Sequence, residues 1–121
     1  MDDIYQEFII ELYKNPMNFG RMAKPDYHAE VHNSTCGDRI ELSLKMKSGI
    51  IVDVKFAGSG CAISQASSSL FTEYLKGKTL DQLKKIDKQE VLALLKIDLS
   101  KNPSRMKCAL LPLDALKKSI K

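Results

Sequence analysis

Two stretches in the middle of the chain carry an apolar side chain at every second position. Residues 40–46 are apolar at each even position, and residues 50–56 repeat the pattern. This periodicity is typical of a strand with one buried face. Because Ser48-Gly49 between the two stretches suits a tight turn, they predict a β-hairpin. The segment from Tyr27 to Thr35 is more irregular and predicts further extended chain before the hairpin.

Other parts of the chain have apolar residues at helical spacing. These are residues 2–13, 62–75, 80–86, 91–95 and 109–120. Asn15-Pro16 ends the first predicted helix, and Gly77 is the expected stop of the second, which begins near Cys61. Asn102-Pro103 interrupts the chain before the last helix. The predicted order is therefore a helix, extended chain and a hairpin, then a series of helices.

Length and composition fit one globular unit. The chain has 121 residues, of which 44% are hydrophobic and 28% charged. A chain of this size can bury a core without disulfides or metals. Together with the predicted strands and helices, this favours a single α+β domain spanning residues 1–121, with no internal repeat or linker.

The distribution of charge limits the location and the partners. Asp2, Asp3 and Glu7 stand near the N-terminus, where a secretory signal would be basic and then apolar. No segment approaches the roughly 20 apolar residues that span a bilayer. We therefore expect a cytoplasmic protein without a membrane partner. The net charge of +4 is spread along the chain rather than collected in a basic stripe, so we expect no nucleic-acid partner.

Three cysteines, Cys36, Cys61 and Cys108, are the main candidates for chemistry. A reducing compartment and an odd number of thiols argue against a disulfide framework. The cysteines form no C-x-x-C pair, so the compact zinc-finger and thioredoxin motifs are absent. Each falls beside the predicted end of a regular element: before the hairpin, after it, and before the last helix. All three can therefore meet at one end of the sheet.

The neighbours of two cysteines favour the thiolate, which is the form that binds metal or attacks sulfur. Cys61 follows Gly58-Ser59-Gly60 and opens a helix, whose positive end stabilises an anion. Cys108 follows Arg105 and Lys107, and their positive charges act in the same direction. Cys61 and Cys108 are thus expected to be reactive or metal-binding thiols.

A carboxylate completes the candidate set. Asp38 stands two residues after Cys36, and Gly37 lets the backbone turn so that both side chains can reach one ion. Cys36, Asp38, Cys61 and Cys108 then offer three sulfurs and one oxygen, which suits tetrahedral zinc or the edge of an iron–sulfur cluster. Taken singly, each cysteine is more often a small buried residue and Asp38 a turn former. The combination favours a site.

His28 and His32 are expected to be exposed strand residues.

These residues belong to a series of motifs that resembles the U-type iron–sulfur scaffold family, namely IscU, SufU and the N-terminal domain of NifU. The motifs cover nearly the whole chain in the family's order. They are Tyr13-Lys14-Asn15-Pro16 with Asn18 and Gly20, Cys36-Gly37-Asp38, Gly58-Ser59-Gly60-Cys61 leading into Ala66-Ser67-Ser68-Ser69, Lys76-Gly77-Lys78, and Arg105-Met106-Lys107-Cys108-Ala109.

The resemblance implies a three-stranded antiparallel sheet packed against helices, with the site at an exposed tip. It implies a scaffold or carrier rather than an enzyme, one that accepts persulfide sulfur from a cysteine desulfurase and binds iron. The chain would hold a transient [2Fe-2S] cluster through Cys36, Asp38, Cys61 and Cys108 and transfer it to apo-proteins. Cys108 is the preferred persulfide acceptor and Cys36 the alternative. An iron or electron donor is a further expected partner, and the expected state is a monomer or weak homo-oligomer.

Departures from the family pattern keep a second function open. Lys107 precedes Cys108 where the IscU branch has a histidine. The order Arg105-Met106-Lys107-Cys108 instead resembles SufU. Yet the interval from Lys78 to Cys108 is too short for the insertion that SufU members carry. The alternative is a zinc-bound SufU-type sulfurtransferase, a sulfur shuttle that does not itself build the cluster. Zinc is the alternative occupant of the site, because zinc and iron clusters accept the same thiolates.

Overall fold

The order of elements follows the hydrophobic pattern closely. The structure is a computed structural model that describes residues 3–33, 37–96, 99 and 101–120. The helices and strands are α1 (Asp3–Lys14), β1 (Tyr27–Asn33), β2 (Asp38–Lys47), β3 (Ile50–Ser59), α2 (Ala62–Leu75), α3 (Leu80–Lys84), α4 (Lys88–Leu95) and α5 (Pro103–Ser119). Among the helices so described, none is long and apolar enough to cross a membrane.

The strands form one antiparallel sheet in the order β1-β2-β3. Ser48 and Gly49 join β2 to β3 with positive φ angles of 55° and 79°. Two positive angles in a two-residue loop match the right-handed twist of the flanking strands. The predicted hairpin and the predicted three-stranded α+β architecture are both confirmed.

One face of the sheet packs against α2 and α5. The side chains on this face alternate along β2 at Ile40, Leu42 and Leu44 and are fully buried. In β3 the predicted alternation is wrong at its start: an irregularity in the pairing at Lys45 and Met46 leaves Ile50 and Val52 42% and 51% exposed and buries Ile51 instead. With apolar residues of the helices the buried side chains form the larger hydrophobic cluster of the described chain, here called the sheet core. Its largest buried side chains include Phe56, Phe71, Leu42, Leu44 and Leu116. Burial of these side chains is the main source of stability.

The opposite face of the sheet carries charged residues that pair with one another. Glu41 lies 3.4 Å from His28 and 3.8 Å from Arg21, while Glu30 lies 3.0 Å from His32 and 3.1 Å from Arg39. Both histidines are exposed, as expected from their position on β1. Their partners are carboxylates of the sheet, so neither histidine belongs to the cysteine site described below.

The last helix begins earlier than the sequence pattern indicates. α5 starts at Pro103, whereas the prediction placed its start at Ala109. The Asn102 side chain accepts a hydrogen bond from the Arg105 backbone N–H at 3.2 Å, and Pro103 occupies the first turn. Asparagine before proline is a favourable helix start, because the first N–H groups of a helix have no partner within the helix. Cys108 therefore lies inside α5 rather than in a preceding loop.

A second, smaller cluster packs beside the sheet core. It joins α1, the first turns of α2, the end of α4 and the first half of α5, and we call it the helical cluster. Its buried members are Ile9, Leu12, Ile63, Ala66, Leu95, Leu99, Cys108 and Ala109. Because Cys108 is a member and Cys61 packs against it, this cluster positions two of the three cysteines.

Candidate metal centre

Asp38 is the first residue of β2 and shares a strand face with Ile40 and Leu42, because side chains two residues apart point the same way. That face is covered by helices, and Asp38 is 2% exposed. Burying a carboxylate is costly unless hydrogen-bond donors or a cation compensate for the lost water. A buried Asp at the open end of a strand is therefore a candidate ligand for a cation.

Cys61 is a hydrogen-bond partner of this carboxylate. It is the N-cap residue of α2, directly after β3 ends. Its backbone N–H donates to Asp38 Oδ1 at 3.2 Å, and its Sγ lies 3.7 Å from Asp38 Oδ2. The first turn of α2 contains no acidic residue. The partial positive charge at the start of this helix therefore acts on the Cys61 and Asp38 side chains. The predicted proximity of Asp38 and Cys61 is present in the structure.

Gly60 makes this approach possible. A Cβ atom added at Gly60 would lie 2.8 Å from both Cγ and Oδ1 of Asp38, and it would also collide with Ser64 Oγ. The Ser64 hydroxyl is engaged with the Cys61 carbonyl, to which it donates at 3.1 Å. A side chain at position 60 would thus push apart the residues that hold the carboxylate beside the thiol.

Cys108 reaches the same place from α5. It is 3% exposed, and the neighbouring Ala109 carbonyl accepts a 2.6 Å hydrogen bond from the buried Ser67 hydroxyl of α2. Pro112 stands one turn later in the helix and has no N–H to give to the Cys108 carbonyl. The Ser67 bond therefore fixes α5 against α2 at the point where the proline removes a regular helical bond.

The three side chains converge. One ligand atom from each of Asp38, Cys61 and Cys108 can be chosen so that all lie within 4.8 Å of one another. Sulfurs bound tetrahedrally to zinc at 2.3 Å lie about 3.7 Å apart, so small side-chain rotations would bring these atoms to one ion. Two sulfurs and one carboxylate oxygen are a suitable partial donor set for zinc or for iron in a cluster.

The two positively charged residues expected to act on Cys108 lie at different angles around α5. Arg105 and Lys107 are both exposed on α5, whereas the Cys108 side chain is buried. Arg105 is three residues before Cys108 and so lies on the same side of the helix, while Lys107, one residue before it, is rotated by about 100°. Of the two predicted contributions to the thiolate, the helix geometry favours that of Arg105.

Cys36, the fourth predicted ligand, lies outside the described residues. The described chain resumes at Gly37, whose N–H donates to the Asn33 carbonyl at 2.8 Å, and Asn33 pairs with Asp38 across the strands. Cys36 therefore stays a prediction of the sequence analysis. The sequence did not predict that Ser64 and Ser67 bond to the backbone at and beside the two cysteines. A serine in a helix gives no sequence signal for a tertiary hydrogen bond such as that of Ser67.

Comparison with known proteins gives a consistent result. The family model for the NifU-like N terminal domain matches residues 4–121. The zinc-dependent sulfurtransferase SufU of Bacillus subtilis is 36% identical, with 99% of this chain and 91% of that protein covered. The iron–sulfur cluster assembly scaffold protein IscU of Haemophilus influenzae is 37% identical, with 96% of this chain and 92% of that protein covered.

Solved structures share the fold over the same length. A SUF-system iron–sulfur cluster assembly scaffold protein from Fervidobacterium islandicum superposes with a TM-score of 0.79 at 34% identity, covering 98% of this chain and 97% of its own. A NifU-like N-terminal domain from Brucella abortus gives a TM-score of 0.79 at 28% identity, covering 98% of this chain and 93% of its own. These similarities extend over the strands and helices that bring Asp38, Cys61 and Cys108 together.

Proposed function

Because the chain belongs to the NifU-like N-terminal domain family, we propose that it is a scaffold on which a transient [2Fe-2S] cluster is assembled and from which it is transferred. The observation that carries the proposal is the convergence of Asp38, Cys61 and Cys108 within 4.8 Å at one end of the sheet. Relatives that are iron–sulfur cluster assembly scaffold proteins support the same function. Iron and sulfur are here the cargo rather than a permanent cofactor.

The proposed ligands are Cys36, Asp38, Cys61 and Cys108. Cys36 is two residues from Asp38, which limits the separation of their Cα atoms to about 7 Å. Three thiolates and one carboxylate would bind the iron ions, while the helical cluster shields the Cys108 side from water. A carboxylate is a harder and more readily exchanged ligand for this iron than a thiolate, so Asp38 is proposed as the position where the cluster is released.

Sulfur is proposed to arrive as a persulfide from a cysteine desulfurase. A thiolate of the scaffold attacks the outer sulfur, the desulfurase leaves as a thiolate that regains the proton, and the scaffold cysteine carries the persulfide. This exchange needs no net oxidant or reductant. Conversion of that sulfur to sulfide requires two electrons, which an electron donor must supply, and the scaffold thiolate is then released to bind iron.

Cys108 is the proposed acceptor, with Cys36 as the alternative. Mass spectrometry of the protein trapped after reaction with desulfurase and cysteine identifies the modified residue. Because Cys108 is buried and Cys61 half-buried, free thiol reagents should react with Cys61 first. A persulfide on Cys108 would therefore indicate directed delivery rather than random exchange. A persulfide found on Cys36 alone would overturn the choice of Cys108.

The release role of Asp38 is tested by transfer to an apo-ferredoxin. Asp38→Ala keeps the thiolates, removes the exchangeable oxygen ligand, and should give a cluster that persists longer and transfers more slowly. Asp38→Asn is the matched control for a purely structural role, because its side-chain oxygen can still accept the hydrogen bond from the Cys61 N–H. Cluster lifetimes and transfer rates equal to wild type in both variants would remove Asp38 from the centre.

The second candidate is a zinc-dependent sulfurtransferase, and the similarity to the Bacillus protein favours it. In that case one zinc ion would occupy the same ligands, and the protein would pass sulfur on without building a cluster. The alignment with the Bacillus protein runs over 137 positions, more than the 121 residues of this chain, so that relative carries residues that this chain lacks. The corresponding alignment with the Haemophilus scaffold runs over 120 positions. Length thus favours the scaffold.

The proposed partners are a cysteine desulfurase, an iron or electron donor, and the apo-proteins that receive the cluster. We place these reactions in the cytoplasm, where thiols stay reduced. The protein is proposed to act as a carrier, as a monomer or weak homo-oligomer. Metal and sulfide analysis after anaerobic reconstitution separates the scaffold from the sulfurtransferase, because only the scaffold retains iron together with sulfide.

A further inference from the structure

An open groove of about 440 Å³ runs beside the metal centre. Its walls come from the end of α1 and the loop after it, from the turn that leads to Cys61, and from the first turns of α2. The lining residues are Tyr13, Lys14, Pro16, Phe19, Gly58, Ser59, Gly60 and Gln65. Since a Cβ added at Gly60 would lie 2.8 Å from the Asp38 carboxyl, the groove ends at the Asp38 and Cys61 side of the centre.

One wall of the groove is an open edge of the sheet. β3 is an edge strand, and the Phe56 N–H and C=O point away from β2 to bond Asn18 O at 2.9 Å and Gly20 N at 2.8 Å. In an antiparallel pair every second residue has this outward orientation, so the N–H and C=O of Gly58 also face outward. No segment of the described chain pairs with Gly58 on this outer side.

Gln65, which lines the groove, carries an unused hydrogen-bond donor. Gln65 is 5% exposed, and its side-chain Nε2 has no hydrogen-bond partner among the described residues. Leaving a buried amide unpaired is destabilising, because its hydrogen bonds to water are lost and not replaced. Gln65 follows Cys61 by one helical turn, so a carbonyl that satisfies this amide would lie next to the metal centre.

The rim of the groove is apolar and held in place. Tyr13 and Phe19 are 49% and 51% exposed. Next to Phe19, Asn18 has a positive φ of 61° and donates to Thr72 Oγ1 at 3.1 Å and Glu73 Oε1 at 3.3 Å. Hydrogen bonds from Lys76 and Asn18 hold the pKa of Glu73 below its ordinary value. The rim segment is therefore anchored to α2 even though its aromatic side chains are exposed.

We propose that this groove binds an extended, cysteine-bearing peptide segment of the apo-protein that receives the cluster. The segment would pair with the outer edge of Gly58, and its side chains would contact Tyr13 and Phe19. Its carbonyl would accept from Gln65 Nε2 once this buried amide turns into the groove. This is strand addition to a sheet edge, in which main-chain bonds give affinity and neighbouring pockets give specificity.

The position of the groove favours the receiving protein over the sulfur donor. The groove is lined by Gly60, which stands beside the Asp38 carboxyl, the proposed exchangeable ligand. None of its lining residues belongs to α5, the helix that carries Cys108, the proposed sulfur acceptor. A cysteine bound in the groove could replace Asp38 on the iron: its thiolate forms the new iron–sulfur bond, the carboxylate leaves, and no electron is transferred. This inference rests on the proposed scaffold function.

The test uses a capped peptide, acetyl-Gly-Ala-Ser-Ala-Gly-amide, in which serine replaces cysteine so that binding is measured without sulfur chemistry. Its titration into the ¹⁵N-labelled, reduced full chain should shift the amide resonances of Gly58 and Gly60 and the side-chain amide of Gln65. Methylating the peptide nitrogens one at a time should abolish binding at one position, because the Gly58 carbonyl then loses its donor. This arm leaves the protein unchanged.

Gln65→Leu provides the second arm, with Gln89→Leu on the exposed part of α4 as its control. Gln65→Leu should weaken peptide binding about fivefold, the effect of one neutral hydrogen bond. It should also raise the melting temperature, because an unpaired buried amide is replaced by an apolar group. A residue that merely supports the fold would lower the melting temperature instead. Gln89→Leu should leave peptide binding unchanged.

The final arm identifies the partner. Excess peptide should slow cluster transfer to apo-ferredoxin and leave persulfide formation by the desulfurase unchanged. The inference is wrong if the peptide shifts no groove resonance, if every methylated peptide binds like the parent, or if Gln65→Leu binds the peptide as tightly as the wild type. It is also wrong if free cysteine binds as tightly as the peptide, or if the peptide slows persulfide formation instead of cluster transfer. Assembly of a cluster from iron and inorganic sulfide would still succeed in each of these cases, so the proposed function is tested separately.

Discussion

The sheet core and the helical cluster differ in the kinds of side chain that they contain and contact. The sheet core consists of large apolar side chains, and many of them, including Phe56, Phe71 and Leu42, have no exposed surface. The helical cluster is smaller and lies against buried polar residues, among them Asp38, Gln65 and Ser67. Asp38 and Ser67 are held by specific hydrogen bonds, whereas the Gln65 Nε2 group has no hydrogen-bond partner among the described residues. One region can therefore supply most of the stability while the other holds reactive groups in place.

The difference shows how a small domain can contain a site whose buried polar groups lower the stability of the fold. Burying a carboxylate and unpaired amides costs free energy, which apolar burial elsewhere must offset. In this chain the two regions share α2 and α5 but use different faces and turns of these helices. Substitutions in the sheet core should thus change the free energy of unfolding, whereas substitutions near the centre should mainly change metal binding.

The largest effect on stability is expected in the sheet core. Phe71 is fully buried, and Phe71→Ala should lower the free energy of unfolding by about 3–5 kcal/mol, because it removes apolar contacts and leaves a cavity. Urea titration monitored by circular dichroism measures this change. Phe71→Leu is the conservative control and should cost less. A loss below about 1 kcal/mol for Phe71→Ala would contradict the assignment of this core.

Gly60→Ala should have an intermediate effect that is concentrated on metal binding. Its Cβ would lie 2.8 Å from the Asp38 carboxyl carbon, so the variant should lose about 1–3 kcal/mol of stability through overpacking. The separation of Asp38 from Cys61 should also weaken zinc binding, measured by competition with a chromophoric chelator. Ser59→Ala, at the exposed neighbouring position, is the control. Equal zinc affinity in Gly60→Ala and Ser59→Ala would refute the role assigned to Gly60.

The smallest effect compares two serines of α2. Ser67→Ala removes the 2.6 Å bond to the Ala109 carbonyl, and Ser69→Ala removes the 3.1 Å bond from the Met17 N–H. Each variant should lose about 1 kcal/mol of stability. Zinc affinity should fall in Ser67→Ala alone, since Ala109 adjoins Cys108 whereas Met17 is outside the centre. Identical zinc affinities in the two variants would show that the Ser67 bond does not position Cys108.

Much of the fold follows from local patterns. The alternation in residues 40–46 and 50–56 predicts β2 and β3, and the same period places Asp38 on the face of Ile40. The start of α5 was missed because Asn102-Pro103 both interrupts a chain and initiates a helix. Whether this pair interrupts the chain or starts a helix depends on whether the residues after it pack against the rest of the domain. Residues 103–108 include few apolar side chains, so the sequence gives little sign of such packing.

The centre was partly predictable for a similar reason. Cys61 and Asp38 carry local signals, a glycine turn before a helix and a glycine between Cys36 and Asp38. The groove was not predicted, because Tyr13, Phe19 and Gln65 meet through tertiary packing between distant segments. The free edge at Gly58 likewise depends on where the chain after Gly20 turns away from β3, which no periodicity reveals.

Anaerobic reconstitution tests the central claim most directly. The reduced protein is incubated with iron, cysteine, a cysteine desulfurase and an electron donor, then separated from small molecules and analysed for iron, acid-labile sulfide and thiolate-to-iron absorption. The account predicts iron and sulfide in equal amounts with that absorption in the wild type, and loss of both in Cys61→Ser and Cys108→Ser. A protein that retains zinc and accepts persulfide, yet binds neither iron nor sulfide, would contradict the scaffold function and establish the sulfurtransferase in its place.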